Sequence, residues 1–201
     1  MNWKNNFYTK KEARFQPEDQ AAIHQAGETI FKWLPSCAYQ PVVICIGTDR
    51  STGDSLGPLT GTILQEQQTV NLTVYGTLED PIHAVNLEEK LREIKAAHQN
   101  SFIIAIDACL GKPKSVGSII AVPSPLRPGA ALDKTLPEVG DIHLSGVVNV
   151  SGFMEFMVLQ NTRLQIVMKM AKQIAGILFC LDQHITRQQT SPIPNKFKAM
   201  P

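Results

Sequence analysis

The sequence predicts an α/β domain with a mostly parallel sheet and helices on both of its faces. Three observations predict it. Val42-Val-Ile-Cys-Ile46 and Ser101-Phe-Ile-Ile-Ala-Ile106 contain apolar runs without alternation, as strands buried on both faces require. Amphipathic segments lie before, between and after these runs, so helix and strand alternate along the chain. The 201 residues are 43% hydrophobic and 18% charged, a balance that buries one core without a staple and excludes disordered or collagen-like classes.

The elements follow in order. Residues 1–16 are expected as a loosely held arm, 17–185 as one α/β domain and 186–201 as a polar tail that frays. Pro17-Glu-Asp-Gln opens an amphipathic helix whose apolar stripe includes Ile23, Ala26, Ile30 and Leu34, and Pro35 stops it. The strand 42–46 leads into a loop over 47–57. A helix over 58–67 has Pro58 in its first turn, where a missing N–H costs least. A second strand covers 71–75. The helix over 86–98 is predicted with Asn86 and Glu89 in capping-box spacing and a stripe of Leu87, Leu91 and Ile94.

A third strand spans 101–106 and ends at Asp107. A fourth, over 117–122, follows a link too short for a helical crossover and so is expected antiparallel to its neighbour. The Pro-rich stretch 123–137 is too long for a simple connector. Residues 141–145 read as a short strand or the approach to a helix. Helices are expected over 152–160 and 162–184. The second has an unusually wide apolar face, read first as a deeply buried core helix and second as a homodimer contact.

Charge and cysteine content bound the function. The formal net charge is +1, which offers no electrostatic footprint for nucleic acid or an anionic membrane. The first ten residues are polar and carry no signal-peptide core, and the apolar run Ile174–Leu181 falls well short of the roughly 20 residues of a membrane span. Cys37, Cys45, Cys109 and Cys180 form no CxxC pair and read as reduced thiols of a cytoplasmic protein.

The chemistry is expected beyond the carboxyl ends of the strands, where open α/β sheets place their sites. Two loops there carry acids: Gly47-Thr-Asp-Arg-Ser-Thr-Gly-Asp-Ser-Leu-Gly-Pro58, and Asp107-Ala-Cys-Leu-Gly111. The first is neither a Walker loop nor a GxGxxG turn, since Asp54 follows Gly53 where a phosphate loop needs Lys. Asp54 and Asp107 would point into one cleft if their strands are neighbours. Two carboxylates that cannot both ionise easily supply an acid and a base together, enough to activate water and protonate a leaving amine. Against that stand ordinary roles: Asp54 as a helix-start acid and Asp107 as a turn former.

Thr52, Gly53, Arg50 and His143 are expected along the substrate's path, with Arg50 or Lys112 steadying an oxyanion or a carboxylate. Cys109 pairs on paper with His143 as a nucleophile, although a buried small apolar role suits it better. No cofactor is expected. The alternative is a divalent metal such as nickel or zinc held by Asp54, Asp107 and His143.

At these two loops the chain resembles the spore germination protease family, whose loop reads Gly-Asn-x-x-x-Thr-Pro-Asp-Ala-Leu-Gly-Pro. Gly47, Thr52, Asp54, Leu56, Gly57 and Pro58 fall in register, and Ala105-Ile-Asp-Ala108 matches that family's second acid. Thr48 and Gly53 depart from its Asn and Pro. A more distant likeness links Asp54, Asp107 and His143 to the metal-holding residues of hydrogenase maturation peptidases. Over nearly its full length, including Gly146–Gly152 and Leu159–Arg163, the chain is similar to the YyaC family of sporulation proteins. The resemblance implies a three-layer αβα sandwich, a forespore or mother-cell cytoplasm setting, and hydrolysis of a peptide or protein substrate by Asp54 and Asp107. The expectation of a metal-dependent peptidase stands beside it. So does a non-catalytic interaction protein, suggested by the apolar face of the last helix with Phe153, Phe156 and Met157.

Overall fold

In the computed structural model of the protein, residues 12–16, 20–35, 40–128 and 136–190 are described. The strands are β1 (Ala13–Phe15), β2 (Val42–Cys45), β3 (Thr73–Tyr75), β4 (Ile103–Gly111), β5 (Ile119–Val122) and β6 (Ile142–Val150). The helices are α1 (Gln20–Phe31), α2 (Leu56–Glu66), α3 (Leu87–Ala97), α4 (Glu155–Gln160) and α5 (Leu164–Thr190). The six strands form one sheet in the order β1-β5-β6-β4-β2-β3. β3, β2, β4 and β6 are mutually parallel, β5 is antiparallel to both of its neighbours, and β1 closes the edge.

Alternation along the central strands divides the core in two. Val43, Cys45, Ile104, Ile106, Ile142 and Leu144 pack against α1, α2 and α5. Val42, Ile44, Ile46 and Ala105 pack against Leu87, Leu91 and Ile94 of α3 and against Leu126 and Val139 of the connection between β5 and β6. Helices therefore cover both faces of a mostly parallel sheet, in the three-layer αβα arrangement. β2 and the Ile104–Ile106 stretch of β4 are buried on both faces, which is why neither run alternates in sequence.

α5 explains its own wide apolar face. It packs against α1 and α2 and buries residues from Val167 to Ile185, including Met170 and Ile177. By length and composition it could cross a membrane, yet 56% of its most apolar window is buried inside the protein. The Asp182 side chain, 4% exposed, accepts hydrogen bonds from the Val70 and Asn71 amides and from Asn71 Nδ2, tying α5 to the entry of β3.

Several expectations are corrected. Ala13–Phe15 lie in the expected arm but pair with β5, while residues 1–11 lie outside the described residues, as do Pro17 to Asp19 and Cys37. Asn86 does not cap α3 through its side chain; Oδ1 accepts from the His83 amide and Nδ2 donates to the Pro81 carbonyl, closing the turn before the helix. β5 is antiparallel as expected, but its partner is β6, which inserts between β4 and β5. The link 112–118 spans that gap, with Gly117 at φ +90° and its amide on the Val147 carbonyl. Residues 142–145 belong to the nine-residue β6, and residues 186–190 of the expected tail continue α5.

Candidate active site

The chain leaves β2 for β3 on one side and returns through α3 to β4 on the other side of β2. Such a reversal opens a crevice at the carboxyl ends of the two strands. β2 pairs with β4 only as far as Cys45 opposite Ile106, whereas β4 runs on to Gly111 beside β6. Asp107 is therefore not a strand end, as expected, but the first residue of β4 beyond its pairing with β2. On the other side it stands opposite Ser145, and a register shift between Cys109 and Leu110 follows two residues later.

The loop after β2 fills the vacated side. The Gly47 amide bonds the Ile82 carbonyl, and the Thr48 amide bonds the Asp54 carbonyl at 3.1 Å, folding the loop back on itself. A short 3-10 turn, Gly53–Ser55, then feeds directly into α2. Asp54 and Asp107 consequently line one cavity of about 760 Å³, together with Arg50, Ser51 and Cys109. Leu126, Arg127, Pro128 and Leu136 form its wall from the Pro-rich stretch, whose base is pinned by reciprocal amide bonds between Leu126 and Val139. Glu155, Phe156, Leu159 and Gln160 of α4 form the opposite wall.

Burial pushes the Asp107 carboxyl up to about 8; the Ala108 amide, which donates to Oδ1 at 2.8 Å, opposes the rise and the negative charge of Asp54 adds to it. Asp54 is also raised by burial, and the Ser51 hydroxyl opposes that rise. Ser51 is 4% exposed. Among the described residues its Oγ has no hydrogen-bond partner of standard geometry, and the group it adjoins is the Asp54 carboxyl. The pair is thus asymmetric: burial and the Asp54 charge raise Asp107 to about 8, while the adjoining Ser51 hydroxyl works against the rise at Asp54.

The other expected site residues fare differently. Arg50 is exposed at the rim of the cavity. Gly53 offers no surface to a substrate, because it is buried against Leu159 of α4; a Cβ there would lie 2.8 Å from Leu159 Cδ2. Thr52 is not among the lining residues, and its carbonyl accepts the Ser55 hydroxyl at 2.7 Å. His143 is drawn away too. It pairs with Ala105, two residues below Asp107 and about 6–7 Å nearer the amino end of the sheet. Its Nδ1 lies 2.8 Å from the Ser124 carbonyl, and burial lowers its pKa.

Among the described residues no three His, Cys, Asp or Glu side chains converge as metal ligands. The donor set Asp54, Asp107 and His143 therefore does not fit a resident divalent ion in this arrangement, and no chemical step is routed through one. Cys109 does line the cavity, but burial and the Asp107 charge push its thiol to about 12, far from a thiolate nucleophile. Lys112 is exposed beyond the end of β4 and is not a lining residue.

Sequence reasoning missed Ser51, Ser145 and the α4 wall. Ser51 lies inside the acidic loop, and an unclaimed hydroxyl three residues before an acid was its only signal. Ser145 and Leu159 carry no local signal, since only the sheet register and the docking of α4 bring them to the acids.

Comparison with known proteins follows this geometry. The profile of the family described as "Protein of unknown function (DUF1256)" matches residues 14–177. The chain is 51% identical over 193 residues to the Bacillus subtilis (strain 168) protein named "Uncharacterized protein YyaC", covering 94% of each chain. Among solved structures it is similar to a [NiFe] hydrogenase maturation protease, HycI, from Thermococcus kodakarensis KOD1. The TM-score is 0.50 at 15% identity, over 76% of this chain and 97% of that one, a likeness of fold.

Proposed function

We propose that this chain, which belongs to the DUF1256 family, is a peptidase-type hydrolase whose water is activated by Asp54 and whose leaving amine is protonated by Asp107. The observation that carries this reading is the pairing of two unlike acids in one cavity: Asp107 held protonated by burial and by Asp54, and Asp54 adjoined by a buried hydroxyl. The peptidase-like fold of the hydrogenase maturation protease supports it, and so does the register of Gly47, Thr52, Asp54, Leu56, Gly57 and Pro58 with the germination protease loop.

The steps balance as ordinary hydrolysis. Asp54 takes a proton from water as the oxygen attacks the peptide carbonyl carbon. Asp107 gives its proton to the nitrogen as the C–N bond breaks. The proton on Asp54 then returns to Asp107 through solvent, leaving a carboxylic acid and an amine as products. Matching an acid and a base to one operating pH in this way is the ordinary use of perturbed carboxyl groups. Arg50 at the rim is placed to meet a substrate carboxylate, and Ser145 lies beside Asp107 at the floor. A sporulating-cell setting, in forespore or mother cell, belongs to this proposal through the germination protease and YyaC resemblances. The experiment is a peptide-library digest comparing the parent with Asp54→Asn and Asp107→Asn. Each variant should lose activity by about 100-fold or more, the scale of one general acid or base. A folded variant that turns over like the parent would remove the acids from the reaction.

A further inference from the structure

The walls around the two acids are apolar out of proportion to the chemistry at the floor. Ile46 and Val85 stand on the β2 and α3 side, Leu126 and Leu136 on the loop side, and Phe156 and Leu159 on the α4 side. The cavity of about 760 Å³ has room for several residues of an extended chain, on the scale of pockets that enclose whole ligands. Two of these side chains stay open to solvent: Val85 is 86% exposed and Phe156 53%. The apolar surface continues outward from Phe156 across the same turn and helix, where Phe153 is 91% exposed and Met157 48%. A monomer seldom leaves a contiguous patch of that kind uncovered unless something binds there.

The continuity of patch and cavity identifies the occupant. Phe156 and Met157 lie on α4, whose Phe156 and Leu159 line the acid site, so the patch runs directly into the cavity and one extended ligand spans both. We propose that the site selects an extended polypeptide segment carrying a bulky apolar side chain, Leu, Met or Phe, beside the bond that Asp54 and Asp107 cleave, with α4 as the specificity element. The inference rests on the hydrolase reading above and adds the substrate class to it.

The test separates binding from cleavage. Fluorescein-labelled alanine-rich peptides, identical except for one central Phe or Ala, are titrated into the Asp107→Asn protein and followed by anisotropy. The Phe peptide should bind about 10- to 100-fold more tightly, the ratio expected from burying one such side chain. Phe156→Ser, at a half-exposed position where folding is spared, should remove most of that preference. Equal affinity for the two peptides would overturn the inference, as would a preference that survives Phe156→Ser together with Val85→Ser. A dimer by sedimentation that dissociates on Phe156→Ser would also overturn it, since the patch would then belong to a second copy. Selective binding of the Phe peptide with no cleavage by the parent protein would sink the hydrolase reading and leave the apolar site standing. Cleavage of both peptides at equal rates would do the reverse.

Discussion

Asp107 stands opposite Ser145 in the β4–β6 ladder and has no partner on its β2 side, because β2 stops pairing at Cys45. One missing pair in the sheet turns a buried strand residue into the floor of a cavity. Asp54 enters through that gap from the loop after β2, and its charge adds to the rise that burial imposes on the Asp107 carboxyl.

The raised Asp107 carboxyl sets a pH dependence of stability. An unfolded Asp loses its proton near pH 4, while the folded group holds it to about pH 8. Between those values the folded state binds more protons than the unfolded one, so stability falls as pH rises. The parent Tm should therefore decline from pH 5 to pH 8. Asp107→Asn should flatten that decline and raise Tm at pH 8 by at least about 2–4 °C, the shift one kcal/mol makes at this chain length. Thermal melts across the range check it, and parallel curves for the two proteins would contradict the assignment.

Ser51→Ala should alter the acid limb of the activity profile. The hydroxyl is the group that holds Asp54 down against its burial. Without it the Asp54 carboxyl rises, and the acid limb of kcat/KM against pH should move upward. The basic limb, set by Asp107, should move far less. Rescue by Ser51→Thr would separate this role from simple packing.

Gly47→Ala tests whether the loop must fold back. Gly47 has φ +148°, and a Cβ there would lie 1.9 Å from the Asp54 carbonyl oxygen. The loop cannot keep both its closing bond and an added methyl group. We expect a loss of about 2–4 kcal/mol of stability, within the range for backbone strain with a core clash. Activity should fall further than stability accounts for, because Asp54 is the residue displaced. Denaturant titration with parallel activity assays at low temperature distinguishes the two effects.

Asp182→Ala should act on stability alone. Its carboxylate receives the Val70 and Asn71 amides far from the cavity, and removing it leaves those donors without the partner they had. A loss of about 2–4 kcal/mol is expected for a buried charged acceptor. The pH profile and kcat of the folded fraction should remain those of the parent, a combination that urea unfolding and steady-state kinetics can establish.

Much of the fold was legible because each signal was local. The unbroken apolar runs at 42–46 and 101–106 report burial on both sides, and the stripe Leu87, Leu91, Ile94 reports a helix with one buried face. Prolines and glycines marked the turns. The acidic loop after β2 was legible as well, since its position follows from the buried run before it, but Asp107–Gly111, expected as a second loop, continues β4. Where α4 docks was not legible, because its six residues carry too little periodicity to show which face is covered.

By itself, then, the sequence determined the alternation of strands and helices, the double-sided burial of the runs 42–46 and 104–106, and the presence of an acid beyond each of those runs. Tertiary structure alone decided which groups meet. It placed β6 between β4 and β5, brought Ser51 and Asp54 into the gap beside Asp107, and carried His143 to the Ser124 carbonyl instead. Periodicity records how much water each segment sees. It does not record which strand supplies the next ladder of hydrogen bonds, and that nonlocal choice fixes the register on which the site depends.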